Sequence, residues 1–160
     1  MATETKPNKP AKRQALEFLR SSAVSAKPTG VDEERKKISG VILAKTGPFK
    51  SGRGEFDLKS LNMLAKIIGS KSKGSKSRMG HPNPSHPGAR QEVDSFLGRF
   101  SDPRVEPNPD EPDGHVLRGD LALDPVSFLS KSGGVSDGDY LMARAKSDPD
   151  SFGTSLVLSA

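Results

Sequence analysis

The sequence predicts an α+β fold: a mainly antiparallel β-barrel or sheet with surrounding helices. Short apolar runs that suit strands are mixed with segments of helical spacing, but they do not follow the strand–helix–strand rhythm that builds a parallel sheet. Gly and Pro contribute 16 and 13 of the 160 residues, and only 32% of the chain is hydrophobic. Loops are therefore expected to take up a good part of the chain, around one modest core.

The first 30 residues are rich in Lys, Pro, Ser and Ala. This composition predicts a basic N-terminal arm, residues 1–30, that is largely disordered. Within the arm, the run from Ala15 to Leu19 has the spacing of two or three helical turns. Isolated helices of that length are marginal in water, so we expect the arm to become ordered only on a partner. The folded domain is expected over residues 36–160.

A strand and a helix open this domain. The apolar residues from Ile38 to Leu43 predict a buried strand. Asp57 is then a suitable N-cap for a helix whose apolar residues recur at helical spacing up to Ile68, and Gly69 is a suitable stop. The basic stretch that follows has the composition of a flexible linker, although its end, SKSRMGH, also suits a short strand.

The rest of the domain predicts further strands with short helices between them. The prolines of residues 81–91 require a loop. Residues 93–106 predict a strand with a bend at Gly98, residues 106–114 a turn-rich excursion, and residues 115–124 another strand.

The C-terminal part begins with a second helix signal. Asp124 and Pro125 fit the N-cap and first position of a short helix that ends at Gly133. A further helix around Tyr140 must end before Pro149. The apolar run after Gly153 predicts a final strand.

The charges are divided unevenly along the chain. Residues 1–90 carry 19 Lys and Arg against 7 Asp and Glu, whereas residues 91–160 carry 6 against 13. The halves are expected to attract each other or oppositely charged partners. With one Tyr and no Trp, the basic half lacks side chains on which bases stack. Solvated basic surface is therefore a better interpretation than nucleic-acid binding.

Residue type and spacing exclude several kinds of site. The chain has no Cys, which excludes disulfides, thiolate metal sites and a Cys nucleophile. His81 and His86 lie in a proline-rich loop without the rigid face that a zinc site needs. The glycines of GPFKSGRGE are not followed by the Lys-Ser/Thr of a phosphate-binding loop. We therefore expect no cofactor and no metal, and no apolar run approaches the roughly 20 residues of a membrane span.

Catalysis by a serine nucleophile is not excluded by residue type or spacing. Serine attacks only when a base such as His removes its proton. Ser155 stands just past Gly153, where the backbone allows close approach of a substrate, and His81 follows the basic strand-like stretch. On composition alone, a surface serine and a solvated loop histidine are the better interpretation.

Four blocks of sequence, taken in order, resemble a known family. They are FDLKSLNMLAKIIGSKSKGSKSRMGHP, FLGRFSDPRVE, HVLRGDLALDP and YLMARAKSDPDSFGTSLVLS. Together they resemble the prohead maturation proteases of tailed bacteriophages, a group related in fold to the herpesvirus assembly protease. The resemblance covers about residues 38–159 and leaves the arm outside.

The resemblance implies a herpesvirus protease-like fold and a serine endopeptidase that processes scaffold and capsid proteins during phage head maturation. Ser155 falls on the family's nucleophile and His81 on its general base, while His86 and His115 match no family position. The family has further residues after the serine, including a third group that orients the histidine, whereas this chain ends five residues after Ser155. Two explanations stay open: the chain is a truncated or self-processed piece, or a carboxylate within it substitutes for the third group, with Asp120 as the first in-chain candidate.

The expected setting is the host cytoplasm, inside the assembling prohead or the virion. Capsid and scaffold proteins are the expected partners, with self-association as a further expectation. A second class of function stays open: a non-catalytic structural or scaffold-associated capsid protein that retains the protease fold, with its basic arm bound to an acidic partner or to DNA. The presence of His81 and Ser155 favours the protease, and the missing C-terminal segment favours the structural protein.

Overall fold

The fold is known from a computed structural model, which describes residues 18–20, 24–48, 54–72, 74–78, 96–130, 134–154 and 157–159. Within these ranges the chain is α+β, with mostly antiparallel sheets and two α-helices. The coarse fold class predicted from the sequence is therefore confirmed.

The strands, in chain order, are β1 (Phe18–Arg20), β2 (Val24–Ser25), β3 (Gly30–Asp32), β4 (Lys37–Lys45), β5 (Gly47–Pro48), β6 (Glu55–Phe56), β7 (Ser75–Arg78), β8 (Phe96–Pro107), β9 (His115–Leu123), β10 (Gly153–Thr154) and β11 (Val157–Ser159). The helices are α1 (Leu58–Gly69) and α2 (Asp137–Ser147), and two short 3₁₀-helices span Pro125–Phe128 and Pro149–Ser151.

Five strands form the central sheet in the order β3–β4–β9–β8–β7, and all neighbours are antiparallel. β3 and β7 are its edges, so the described strands form an open sheet rather than a closed barrel. Three two-stranded pairs lie outside this sheet: β1 with β11, β2 with β10, and β5 with β6.

Part of the predicted arm belongs to this architecture. Leu19 pairs with Leu158 in the β1–β11 ladder, so the helical turns predicted around Leu19 are replaced by a strand. Pairing with β11 gives partners to backbone groups on one edge of residues 18–20, and such tertiary contacts override a weak helical preference. Ala26 is fully buried, and its backbone bonds with Phe152 (2.6 Å) and Ile42 (2.8 Å). Residues 1–17 and 21–23 lie outside the described residues.

Three register shifts interrupt the pairing of β9 with its two neighbours, and one of them lies between Ile42 and Ala44 of β4. In β4 the register shifts between Ile38 and Val41, where Gly40 has φ +66°. In β8 the shift relative to β9 falls between Ser101 and Arg104. Such bulges increase the local twist and redirect side chains.

The pairing of β8 with β7 is also irregular beside the bend predicted at Gly98, where Ser77 pairs with Gly98 but Arg78 pairs with Phe96. Gly98 also lies close to the neighbouring strand, because the carbonyl oxygen of Ala122 lies 2.0 Å from the position that a Cβ would take there. Glycine at this position permits close approach of two backbones.

Helix α1 begins as predicted at Asp57, whose carboxylate accepts hydrogen bonds from the backbone N–H and the hydroxyl of Ser60, both at 2.7 Å. These bonds hold the pKa of Asp57 below its ordinary value. Gly69 is the last helical residue and Ser70 is the C-cap, one position later than the predicted stop. The helix packs on β8 and β9 and buries Leu61 and Ile68.

The C-terminal elements follow the predicted caps. Asp124 caps the first 3₁₀-helix through a bond from Val126 N–H (2.9 Å), but this helix ends at Phe128 rather than at Gly133, which lies outside the described residues. Helix α2 starts after Ser136 and ends before Pro149.

The predicted final strand is present as the two short strands β10 and β11. Residues from the central sheet, both helices and the C-terminal turn share one hydrophobic core, which includes Ile38, Val41, Leu43, Leu61, Ile68, Leu97, Leu117, Leu121, Leu141, Met142, Ala145 and Phe152.

Candidate functional site

The two residues predicted as catalytic, His81 and Ser155, lie outside the described residues, as does His86. The nearest described neighbours are Arg78, at the end of β7, and Thr154, at the end of β10. β7 is an edge of the central sheet, whereas Thr154 is attached to β4. Strands β8 and β9 stand between β7 and β4, and three strand spacings amount to about 14 Å. A meeting of the two residues requires the chain beyond Arg78 to return across these strands.

The chain leading to Ser155 is fixed to the sheet at three points. The side chain of Phe152 is buried, and its carbonyl oxygen accepts from the N–H of Ala26. Thr154 pairs with Val24 of β2. The hydroxyl of Thr154 also donates to the carbonyl oxygen of Ile42 in β4. The backbone that precedes the predicted nucleophile therefore has a defined position over β4.

Beside this anchor, the face of the sheet opposite the core carries charged side chains that contact one another. Alternate residues of a strand point to opposite faces, so Arg118 and Asp120 share this face while Leu117 and Leu121 enter the core. We call the whole set the charge network; its members are Lys37, Arg104, Glu106, Arg118 and Asp120.

Asp120, the candidate third group, lies at the centre of the charge network. Its Oδ1 accepts from the backbone N–H of Gly40 (2.9 Å) and from Nη1 and Nη2 of Arg104 (3.2 Å each). Its Oδ2 has the Nζ of Lys37 at 3.8 Å, which is an ion-pair distance rather than a hydrogen bond. The side chain is only 11% exposed, so its charge is balanced by neighbours rather than by bulk water.

Arg118 joins the same network to Lys27, which belongs to the predicted arm of residues 1–30. Its Nη1 donates to the carbonyl oxygens of Gly40 (2.6 Å) and Lys27 (3.4 Å), and its Nε donates to Glu106 (3.0 Å). Glu106 also lies 3.5 Å from Nε of Arg104. The buried guanidinium is thus paired with a carboxylate and two carbonyl groups, as a buried cation requires.

The turn between β8 and β9 is held by two further ion pairs. Lys27 pairs with Asp110, and Lys45 lies 3.3 Å from Glu111. The hydrogen bond and charge of Asp110 raise the pKa of the Lys27 ammonium. His115, which the sequence leaves without a role, begins β9, and its backbone bonds with Thr46.

The position of Asp120 relative to the predicted nucleophile follows from β4. Asp120 accepts from Gly40, and Thr154 is attached to Ile42, two residues further along the same strand. Two residues of strand span about 7 Å. Asp120 therefore lies on the same part of the sheet as the residue before Ser155, and its Oδ2 is the oxygen with fewer donors.

The sequence indicates part of the charge network. Two charged residues within the apolar strand HVLRGDLAL, Arg118 and Asp120, are a signal of buried polar contacts. Lys37 and Arg104 give no such signal, because charged residues at alternate strand positions are usual on exposed faces. Their convergence on Asp120 depends on the bulges in β4 and β8.

The described part of the chain contains no group of three or more His, Asp or Glu side chains placed to hold a metal ion. None of its helices is long and apolar enough to cross a membrane. Comparisons with protein-family models, with curated proteins and with solved structures find no match to this chain.

Proposed function

We propose that the chain is a serine endopeptidase of the prohead maturation type, which acts on scaffold and capsid proteins during phage head assembly. The observation that carries this proposal is the agreement between the four resembling sequence blocks and the secondary-structure elements. The first block covers α1 and β7, the second β8, the third β9, and the fourth the part of α2 from Tyr140 onward with the C-terminal strands. Ser155 directly follows β10, and His81 follows β7 by three residues.

In the proposed reaction, Oγ of Ser155 attacks the carbonyl carbon of the scissile peptide bond while the imidazole of His81 takes the hydroxyl proton. The imidazolium then protonates the departing amine, and an acyl-enzyme ester remains on Ser155. Water, deprotonated by His81, attacks the ester and releases the second product with the serine restored.

Asp120 is the proposed positioning residue for the histidine. A carboxylate that accepts from the second ring nitrogen of an imidazole fixes its tautomer and stabilises the imidazolium. The bonds from Gly40 and Arg104 hold the Asp120 carboxylate in one orientation and leave Oδ2 as the acceptor. The anchor at Ile42 supports this assignment, because it fixes the chain before Ser155 within about two residues of Gly40 along β4.

Labelling with a fluorophosphonate probe tests the nucleophile. The probe reacts with activated serines, so we expect labelling of the unmodified chain and its loss in Ser155→Ala. Ser130→Ala, at an exposed serine, is the matched control and is expected to label normally. Labelling that persists in Ser155→Ala, or that is absent from the unmodified chain, would contradict the proposal.

The general base has its own matched pair of variants. His81→Gln is expected to slow the labelling rate by a factor of 10² to 10⁴, the usual contribution of general base catalysis. His86→Gln changes a histidine of the same loop and is expected to leave the rate unchanged. Equal rates for the two variants would remove His81 from the proposed mechanism.

The second candidate is a non-catalytic structural or scaffold-associated capsid protein with the same fold. The observation in its favour is that Asp120 already has internal partners, which gives it a purely structural role. In this alternative the basic N-terminal arm, residues 1–30, binds an acidic partner or DNA. If Lys and Arg residues bind phosphates, the affinity for DNA falls steeply as the salt concentration rises. The slope of log affinity against log salt concentration then reports the number of phosphate contacts. Retention that does not change with salt excludes the DNA form of this alternative.

A further inference from the structure

The central sheet has an open edge at β7. In the part of the chain that the structure describes, β7 pairs with β8 alone. Alternate residues of an edge strand direct their N–H and C=O groups away from the sheet. The sequence of β7, SKSR, has no apolar residue, unlike the other four central strands. This edge therefore joins open backbone groups with polar side chains.

Two cations face each other at this edge. Lys76 of β7 lies directly opposite Arg99 of β8, so the two side chains share one face of the sheet. Like charges in directly opposite positions destabilise a ladder. Among the described residues, no carboxylate lies within the 4.0 Å of an ion pair from either side chain. The described part of the fold therefore leaves this positive charge without a counter-charge.

The charge network on the same face does not supply the missing carboxylate. Asp120 already accepts from Gly40 and Arg104. The residue of β9 that lies opposite Arg99 is Ala122, which is exposed. The small side chain of Ala122 leaves room beside Arg99 for an anionic group of a ligand.

The guanidinium of Arg99 is held by two contacts. Its Nη1 donates to the carbonyl oxygen of Gly74 (3.4 Å), and its Cζ lies 5.7 Å from the centroid of the Phe96 ring. A guanidinium carries five N–H donors, so further donors remain for a carboxylate. Lys76 is exposed, and its ammonium on a flexible stem adapts to the position of a second carboxylate.

We propose that β7 is a docking edge for an extended acidic segment of a partner protein, which adds to the central sheet as a sixth strand. The backbone of the segment pairs with the open side of Ser75–Arg78, and its carboxylates lie on the face that carries Lys76 and Arg99. Strand addition takes its affinity from main-chain hydrogen bonds and its specificity from alternate side chains. This interaction does not depend on the proposed protease activity.

The charge of the edge also selects against other occupants. Lysine on an edge strand opposes pairing with a like-charged strand, so a second copy of β7 is repelled while an acidic strand is attracted. A peptide fits better than a nucleic acid, because a peptide offers N–H and C=O groups at the spacing of a strand.

The first experiment exchanges the charges. It uses the full chain and two fluorescent peptides, TETETET and TKTKTKT, in which the charged residues share one face of a strand. We expect the unmodified chain to bind TETETET and Lys76→Glu to bind it about tenfold more weakly, because an attraction across the ladder becomes a repulsion. Lys76→Glu is expected to bind TKTKTKT more tightly than the unmodified chain does. Lys59→Glu makes the same charge change at an exposed position of α1 and is expected to bind TETETET like the unmodified chain.

Two measurements show that the variant is folded and that the peptide binds at β7. Lys76→Glu places a carboxylate opposite Arg99, so its Tm is expected to equal or exceed that of the unmodified chain. With ¹⁵N-labelled full chain, TETETET is expected to slow amide exchange within Ser75–Arg78 and to leave the exchange of α1 unchanged. Unchanged exchange at β7 would overturn the proposal.

N-methylated peptides separate strand addition from attraction between charges alone. Alternate N–H groups of a strand point to opposite edges. We therefore expect methylation of either the Thr or the Glu nitrogens to weaken binding of TETETET about tenfold or more, while methylation of the other set has little effect. Equal affinities for the two methylated peptides would overturn the strand addition.

Two further results would also overturn the proposal. If the unmodified chain does not bind TETETET, or if Lys76→Glu binds it equally well, the cations of β7 serve only to protect the edge from pairing. If an oligothymidylate of matched length binds more tightly than TETETET and loses its affinity in Lys76→Glu, the edge is a phosphate site instead.

Discussion

The replacement Asp120→Ala tests the energetic role of the charge network. It leaves the N–H of Gly40 without its acceptor, which costs about 1–3 kcal/mol for a buried group. It also removes the charge-assisted bonds from Arg104, a contribution of about 1.5–3 kcal/mol. Arg104 is 33% exposed and keeps its hydrogen bond to the carbonyl oxygen of Asp102 at 2.9 Å. The free-energy cost of losing its bonds to Asp120 is therefore expected at the low end of this range. We expect the free energy of unfolding to fall by about 3 kcal/mol.

Urea unfolding followed by circular dichroism measures this change, and thermal unfolding should show a Tm lower by about 6–12 °C for a chain of this size. Asp120→Asn keeps an acceptor for Gly40 and is expected to lose about 1 kcal/mol. Glu34→Ala removes an exposed carboxylate and is expected to change stability by less than about 0.5 kcal/mol. A loss below about 1 kcal/mol in Asp120→Ala would refute the view that the bonds to Gly40 and Arg104 stabilise the sheet.

Three further predictions concern stability. Gly40→Ala places a Cβ 2.2 Å from the Thr29 hydroxyl, at a residue with φ +66°. We expect it to lower the free energy of unfolding in urea by about 2–4 kcal/mol. Gly30→Ala, which has open space around its Cβ, is the control, and an equal loss in both variants would contradict this expectation. Gly138→Ala brings a Cβ to 2.9 Å from the Phe128 ring. Helix α2 must then shift, and we expect the free energy of unfolding to fall by about 1–3 kcal/mol. An unchanged free energy of unfolding would show that α2 and Phe128 can move apart without cost. Asp57→Ala removes the N-cap of α1. The pKa of Asp57 is lowered in the folded state. The stabilising effect of the ionised cap is therefore present above the unfolded pKa of about 4 and is lost as the pH falls through the lower folded value. The difference in Tm between Asp57→Ala and the unmodified chain should therefore be present at pH 7 and shrink as the pH falls below the unfolded pKa of about 4. A difference that stays constant would contradict the cap.

Local patterns predict the elements whose determinants are local. Helix α1 follows from its N-cap Asp57 and helical apolar spacing, and β4 and β9 follow from short apolar runs. The α+β class follows from the same signals. Such features depend on residues within a few positions of each other.

Features that depend on distant residues could not be predicted in this way. Residues 18–20 form a strand because their partners are residues 157–159, and helical spacing around Leu19 contains no information about that pairing. The meeting of Arg104 with Asp120 depends on register shifts in two strands, which the sequence does not indicate. The same limit applies to His81 and Ser155, which are 74 residues apart and are related only by family resemblance.

The pairing of β1 with β11 also affects the order in which the chain can fold. Residues 18–20 are synthesised about 140 residues before residues 157–159, which takes roughly 7–28 s at 5–20 residues per second. During this interval β1 has no native partner, and an unpaired strand can pair with other chains. Five Lys and Arg lie among the first 20 residues, and basic residues beside a strand oppose such pairing by charge repulsion. Charge repulsion between the basic residues of different chains therefore opposes such pairing until residues 157–159 have been made.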